Sequence, residues 1–584
     1  MVSCGAQMMR SAKGSISFRS FFLPRPQGVS PGAAFAIFMK EMQDMGVFLS
    51  FRIAPHRIPA AQWEETYQEA LGTVDHFNLM DLVFTQRNGS RFMFTKKTAE
   101  RDLGKGKLGI KVCGTMDSGF NTEEFLLFRN LECYRSSKAV EDNGADILLD
   151  DWYPEDSDTP QPPGVRELWG NKTQGKPAHI PLLAIGCLFA DRFPDAVRVG
   201  GDITMGQCRK AVELANRYLE RPIQVPVTCR AEPLARRLQG SGLPAVKQPE
   251  AFFQLYLGTL TPEVGAVLNC VFSPEILYQY FRNALTRHKP EDSAFQATLR
   301  NYLLLGLEFS GLLQMLVSDP KGLCLSLEQA LKTLFSFQVH IPLSEKNCTD
   351  PLGGLDTAVD GDESTPHEID AVMGRAFFSI FFGRNRNLPV YVPLDTIRDA
   401  CRPLDRGADA MIDRLLAERV VDERQEKTYG NDDSSVINQL RQSAREAYQA
   451  EKEKQNYDIG DVEDLYFYEP GCTVYPALME DLLSCMQKIW SFDMEKDFSA
   501  FLALDHGGRE ADLIRRNRHI LIREDVWEHI FAHIMNDSYI RRYFFLIETD
   551  LSIPEGYHLL GPLLNNPVLV DELWEKAENT KDLV

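Results

Sequence analysis

Residues 181–230, PLLAIGCLFADRFPDAVRVGGDITMGQCRKAVELANRYLERPIQVPVTCR, constrain the fold more than any other part of the chain. In order they read as an apolar helix, a short strand, a capped amphipathic helix and a second short strand. Residues 196–199 alternate as a strand does, and Gly200-Gly201 interrupts them. Asp202 or Thr204 is then placed to accept the first free backbone N–H groups of a helix. That helix carries Cys208, Ala211, Val212, Leu214, Ala215 and Leu219 on one side, and Pro222 stops it. A strand, helix, strand unit of this length predicts a parallel pair with a right-handed crossover.

The flanking sequence places this unit between two different kinds of structure. Upstream, residues 47–54 alternate as a strand, Pro59 opens a helix through Trp63, Tyr67 and Leu71, and residues 81–97 read as a hairpin about Asn88-Gly89. Residues 109–115 give a further strand, and Thr122 is placed to cap a helix containing Phe125, Leu126 and Leu131. Downstream of Arg230, apolar residues recur three and four apart over 252–260, 274–286, 295–317 and 325–337, so the pattern becomes helical. A buried helix is expected over 368–382, a charged one over 434–455, and amphipathic ones at 479–490 and 523–535. The expected class is therefore multidomain α+β, mostly α. It comprises a small N-terminal α+β domain with a β-hairpin (45–134), an acidic, Pro- and Gly-containing linker (135–180), a short α/β unit leading into a helical domain (181–343), a loop (344–366) and a helical domain (367–584). A chain of 584 residues accommodates several such units.

Residues 1–44 stand apart, with five basic side chains against two acidic ones and much Ser, Gly and Pro. They read as a targeting segment or, preferentially, as translated upstream sequence with Met45 as the start. Lys40-Glu41 is encodable as AAGGAG, a bacterial ribosome-binding sequence, so a bacterial source is expected.

The formal charge of −20 argues against broad binding to nucleic-acid backbones or anionic membranes, which need clustered Lys and Arg. The twelve cysteines are scattered without metal-ligand spacing and read as reduced structural thiols of a cytoplasmic protein. No apolar run is long and uncharged enough to span a bilayer; the best, 302–317, carries Glu308.

Motifs with a chemical reading are few. Gly104–Gly109 matches GxGxxG by letter, but a strand follows where a dinucleotide site needs a helix. Residues 170–177 fall one short of a phosphate-binding P-loop and end on Pro177, which lacks the required hydroxyl. Eight carboxylates between Glu141 and Asp158 lack the ligand order of a calcium loop and read as a solvated linker. His529 and His533, four apart on a helix, are the candidate metal ligands, although Glu528 precedes the first histidine instead of following it. Asp505-His506 is a candidate acid/base pair. The basic residues Arg509, Arg515, Arg516, Arg518 and Arg523 read as a solvated helix face paired with nearby acids. Residues 368–429 follow the order of a winged helix, with a polar strand over 421–429, but the start of the third helix (Asp405, Arg406, Asp409) would repel phosphates.

These readings point to a non-enzymatic interaction or regulatory protein with a protein partner and no identifiable cofactor. A hydrolase-like enzyme with a His and carboxylate cluster in an inter-domain cleft is the first alternative. A winged-helix-type nucleic-acid regulator is the second.

Overall fold

The computed structural model describes residues 47–116, 121–136, 139–152, 162–173, 176–335, 392–429, 450, 453–454, 456–490, 492–517, 520–549 and 554–581. The expected segments 1–44, 344–366 and 368–382 lie outside the described residues, as does nearly all of 434–455.

The N-terminal part contains two antiparallel sheets. The first has β1 (Phe48–Ile53) at its centre, flanked by β7 (Arg166–Lys172) and β8 (Val197–Gly201). Alternation explains its central place: Leu49, Phe51 and Ile53 all point into the core. Phe51 meets Trp169 and Phe189 at ring distances of 5.0 and 5.4 Å. Phe189 belongs to α2 (His179–Arg192), which is apolar on nearly every side and is accordingly buried against this sheet and α1 (Ala60–His76). Trp63 of α1 closes the cluster at 4.8 Å from Phe189 and donates its indole N–H to Arg129 O at 2.9 Å. Gly186 is small for a reason: a Cβ there would lie 3.0 Å from a Val199 methyl, where α2 crosses β8.

The second sheet runs β3 (Ser90–Lys97), β2 (Leu79–Arg87), β5 (Leu108–Thr115), β4 (Arg101–Asp102), with β6 (Asn121–Phe128) also on β5. Asn88 and Gly89 form the expected tight turn between β2 and β3, both with positive φ (48° and 78°). β2 meets β5 only at Leu79 and Met80, so the hairpin leaves the sheet as an arm. Its inner face carries Phe92 and Phe94 into the C-terminal helical core.

After β8 the chain is helical. α3 (Met205–Ala215) starts on a capping box in which the Thr204 hydroxyl and Gln207 side chain satisfy each other's backbone N–H. A first helical layer holds α4 (Ala231–Gly240), α5 (Gln248–Leu255), α6 (Pro262–Phe272), α7 (Pro274–Thr286), α8 (Ser293–Leu304), α9 (Phe309–Leu313), α10 (Leu327–Leu334), α11 (Leu394–Cys401) and α12 (Ala408–Tyr429). Its core includes Phe252, Phe281, Phe295, Leu312, Leu331 and Ile412. A second holds α13 (Pro476–Trp490), α14 (Glu495–Leu502), α15 (His506–Arg516), α16 (Glu524–Ala532), α17 (Asp537–Glu548), α18 (Pro554–Leu564) and α19 (Pro567–Lys581), around Met486, Trp527, Phe544 and Leu573. The molecule is thus α+β with a helical C-terminal part. Among the described residues no helix is long and apolar enough to cross a membrane.

Four expectations need correcting. The 181–230 unit forms no parallel pair, because β8 runs antiparallel to β1 and residues 222–226 form no strand. Pro222 and Pro226 remove ladder donors, and the Asn216 side chain satisfies both backbone groups of Ile223 (2.8 and 2.9 Å). Residues 121–128 are a strand and not a helix: Phe125 and Leu127 alternate into the core and pair with β5. Residues 421–429 continue α12 where a polar wing strand was expected, so the described part lacks the wing of a winged helix. Lastly, the acidic stretch is anchored, not solvated, where it is described. Asp142 pairs with Arg57, Asp146 with Arg237 (2.6 Å) and Asp150 with Arg52 (2.8 Å), while Ile147, Leu149 and Trp152 are buried.

The aromatic cluster under β1 yields a direct expectation. Phe51→Ala is expected to lower the unfolding free energy by about 3–5 kcal/mol, as truncation of a fully buried ring does. The urea midpoint followed by tryptophan fluorescence checks it, and a loss below about 1 kcal/mol would show that the cluster is not central to stability.

Candidate functional site

The structure brings His529 and His533 together but uses them locally. Their rings lie 4.7 Å apart at the end of α16. His533 Nδ1 is 2.8 Å from His529 O, a contact that closes the helix end. His529 Nε2 is 2.7 Å from Tyr539 Oη, which donates in turn to Asp571 at 3.4 Å. Asp571 also accepts from Arg542 at 2.5 Å. Burial and the neighbouring His533 hold His529 below the usual imidazole range, and burial pushes the Tyr539 phenol up. Among the described residues no group of three or more His, Cys, Asp or Glu side chains is placed to hold a metal ion.

The other motifs resolve into structural roles. Asp505 caps α15, accepting from Gly508 N at 2.8 Å, while His506 is exposed and 3.9 Å from Glu510. Within the basic run, Arg515 and Arg516 pair with Asp512, Arg516 also with Glu548 and Arg523 with Asp525, while Arg518 lies outside the described residues. Arg509, however, is buried and donates to the carbonyls of Leu502, Leu504 and Ile534 and to Asp537. The first two GxGxxG glycines lie in a loop between β4 and β5, with positive φ at Gly104, Lys105 and Gly106, and the third, Gly109, lies in β5. Asp102 accepts the N–H groups of Gly104 and Gly106 at 2.8 and 3.2 Å, so the amides that would cradle a phosphate already hold a carboxylate. Gly170 to Lys172 lie in β7, and residues 174–175 of the P-loop-like run fall outside the described residues.

The functional candidate that no chemical motif marks is the hairpin. One face and one edge of it bind the C-terminal helices. Glu510 is only 4% exposed and accepts from Arg87 Nη2 at 2.9 Å and from Asn88; Arg87 also reaches Glu528 at 2.8 Å and lies 4.2 Å over the Phe531 ring. Thr95 N donates to Ile522 O at 3.2 Å, so the outer edge of β3 is capped.

The outer edge of β2 is different. In a hairpin with a two-residue turn the flanking pair, Arg87 and Ser90, exchanges both hydrogen bonds, and bonded and non-bonded pairs then alternate. Leu82, Phe84 and Gln86 therefore turn their N–H and C=O groups away from β3, as Thr95, the partner of Leu82, does on the far side. No strand among the described residues pairs with them. Phe84 is 45% exposed, with the Arg91 guanidinium 4.6 Å above its ring and Lys111 Nζ at 5.9 Å. Between Arg87 and Lys111 the sequence holds eight basic and two acidic residues, against the charge of the whole chain. Arg87, Lys97, Arg101 and Lys111 are paired with carboxylates, whereas Arg91, Lys96, Lys105 and Lys107 have no ion pair among the described residues. The signal was present as this local charge reversal, but alternation alone does not say which edge stays open.

His179 was also missed. It opens α2, 2% exposed, with Nδ1 2.7 Å from the Thr173 hydroxyl. Its surroundings hold it neutral: burial lowers its pKa from 6.5 to about 4, against a smaller opposing effect of the nearby Gln207 side chain.

No protein-family model, curated protein or solved structure matches this chain.

The histidine sets a pH dependence whose sign is fixed. The unfolded chain binds a proton below pH 6.5, while the native state does so only near pH 4, so stability is full above 6.5 and falls between the two. The loss due to this group is about 3 kcal/mol. His179→Asn is expected to flatten that fall relative to the wild type, whatever it does at neutral pH. Urea titrations of both proteins at the two ends of the window test this, and parallel pH profiles would remove His179 as the cause.

Proposed function

We propose that the chain is a non-enzymatic interaction protein of the cytoplasm that captures an extended, acidic segment of a protein partner as an added strand on β2. The observation that carries this reading is the open edge at Leu82, Phe84 and Gln86. Three outward N–H and C=O pairs offer main-chain bonds, and alternate side chains of an incoming strand would meet Phe84. Charge complementarity favours an acidic occupant: the Arg91 guanidinium lies over the Phe84 ring without an ion pair of its own among the described residues, and Lys111 Nζ stands 5.9 Å from the same ring. The remainder of a −20 chain repels nucleic acid at longer range, which disfavours phosphate backbones as the occupant. The ten described cysteines are free thiols, in keeping with a reducing compartment.

Binding of a labelled peptide of alternating Val and Glu, read by fluorescence anisotropy, tests the proposal. Phe84→Pro removes one outward N–H without touching a β2–β3 hydrogen bond and is expected to weaken binding by about tenfold. Arg91→Glu is expected to weaken it comparably and to reduce its salt dependence. Equal affinity in all three proteins would overturn the edge as the site. Tighter binding of an oligothymidylate than of the peptide would assign the surface to nucleic acid instead.

A further inference from the structure

Two thiols meet under α3. Cys208 lies in the opening turn of that helix, on the face that carries Ala211, Val212 and Ala215 into the N-terminal core, and it is fully buried. Cys229 ends the 3-10 turn Val227–Cys229 that leads into α4, and it is 6% exposed. Both belong to one apolar cluster, and their side chains are hydrogen-bonded to each other.

The path of the chain accounts for the meeting. The Asn216 side chain accepts from Ile223 N at 2.8 Å and donates to Ile223 O at 2.9 Å, which fastens the segment after α3 to the end of that helix. With Ile223 held at one end of α3 and Cys229 at the other, residues 223–229 run back along the helix. The helix rises about 12 Å from Cys208 to Asn216, well inside the roughly 20 Å that six residues can span, so the return needs no stretched backbone. Cys229 N then donates to Pro226 O at 2.9 Å, and Thr228 O accepts from Leu257 N at 2.8 Å. The turn is thereby tied to the residue after Tyr256, a member of the first helical core, and α4 adds Leu234 and Ala235 to that same core. The thiol pair sits where the sheet-bearing part joins the first helical layer.

We propose that Cys208 and Cys229 are a redox pair that closes to a disulfide under peroxide and pins the turn before α4 to α3. Cys229, the more accessible member, reacts first. Its sulfur attacks one peroxide oxygen, the O–O bond breaks, and the departing hydroxide takes up the thiol proton, leaving a sulfenic acid and water. The Cys208 sulfur then attacks the Cys229 sulfur, the S–O bond breaks, and the second hydroxide leaves as water with the Cys208 proton. Two thiols and one hydrogen peroxide give one disulfide and two waters. The contact with Cys208 and burial both push the Cys229 thiol far up, so closure is slow at neutral pH and quickens as pH rises. Such a pair responds to sustained oxidant and ignores brief exposure. It is independent of the β2 edge.

Treatment of the folded, full-length chain with hydrogen peroxide, followed by thiol blocking with N-ethylmaleimide and peptide mass spectrometry without reduction, tests the assignment. The expected product joins the peptides carrying Cys208 and Cys229, is reversed by dithiothreitol, and forms faster as pH is raised. The oxidised chain is expected to melt several degrees above the reduced one, because the link closes a loop of about twenty residues. Cys208→Ala is expected to abolish both the link and the shift and to leave a sulfenic acid at Cys229 that dimedone traps, whereas Cys229→Ala leaves none at Cys208. The wild-type cross-link assay needs neither variant to fold. A folded wild-type chain that forms no such link, or forms it only in urea, would overturn the proposal, as would an unchanged midpoint in the cross-linked chain.

Discussion

Strand β1 is hydrogen-bonded on both edges and covered on one face by α2, and the N-terminal half is arranged by that double demand. Phe51 faces Trp169 on β7 and Val199 on β8, so a single residue of six touches strands that begin more than a hundred residues downstream. Burial of such a ring stabilises by roughly 2–3 kcal/mol only if its neighbours close over it. They do so through Phe189 and Trp63, which brings α1 and α2 onto the same face. The carboxylates of the acidic stretch are then recruited to the arginines left on the opposite side and flank, Arg52 and Arg57 among them.

The hairpin repeats this logic across a longer separation. Glu510 is a buried charge in α15, and a buried charge is tolerable only when paired and hydrogen-bonded. Its partners Arg87 and Asn88 come from more than four hundred residues earlier, at the tip of an arm that has left its own sheet. Phe92 against Trp527 at 5.4 Å supplies the apolar part of the same joint. One edge of the arm is consumed by Ile522, and the other is left with polar main-chain groups facing water. The geometry that fastens the arm to the C-terminal helices also sets its free edge outward.

Much of the local structure was legible from residue order. The Asn88-Gly89 turn, the start of α1 after Pro59, the cap at Thr204 and the apolar faces of α7 and α13 all follow from propensities acting within a few residues. Where the reading failed, local signals were ambiguous. Phe125 and Phe128 satisfy a helical spacing, while Phe125 and Leu127 satisfy that of a strand, and pairing with β5 decided between them. The histidines of α16 were legible as a pair on one face, but not as partners of Tyr539 and of their own backbone.

The sequence by itself determined an acidic chain with a sheet-forming N-terminal part, a tight hairpin and a long helical remainder, because periodicity and turn chemistry are properties of neighbouring residues. Only the tertiary structure decided that β8 is antiparallel, which carboxylates are anchored and which hairpin edge stays open. Each of those depends on segments far apart in the chain, and no local pattern encodes the partner that a strand edge or a buried charge will find.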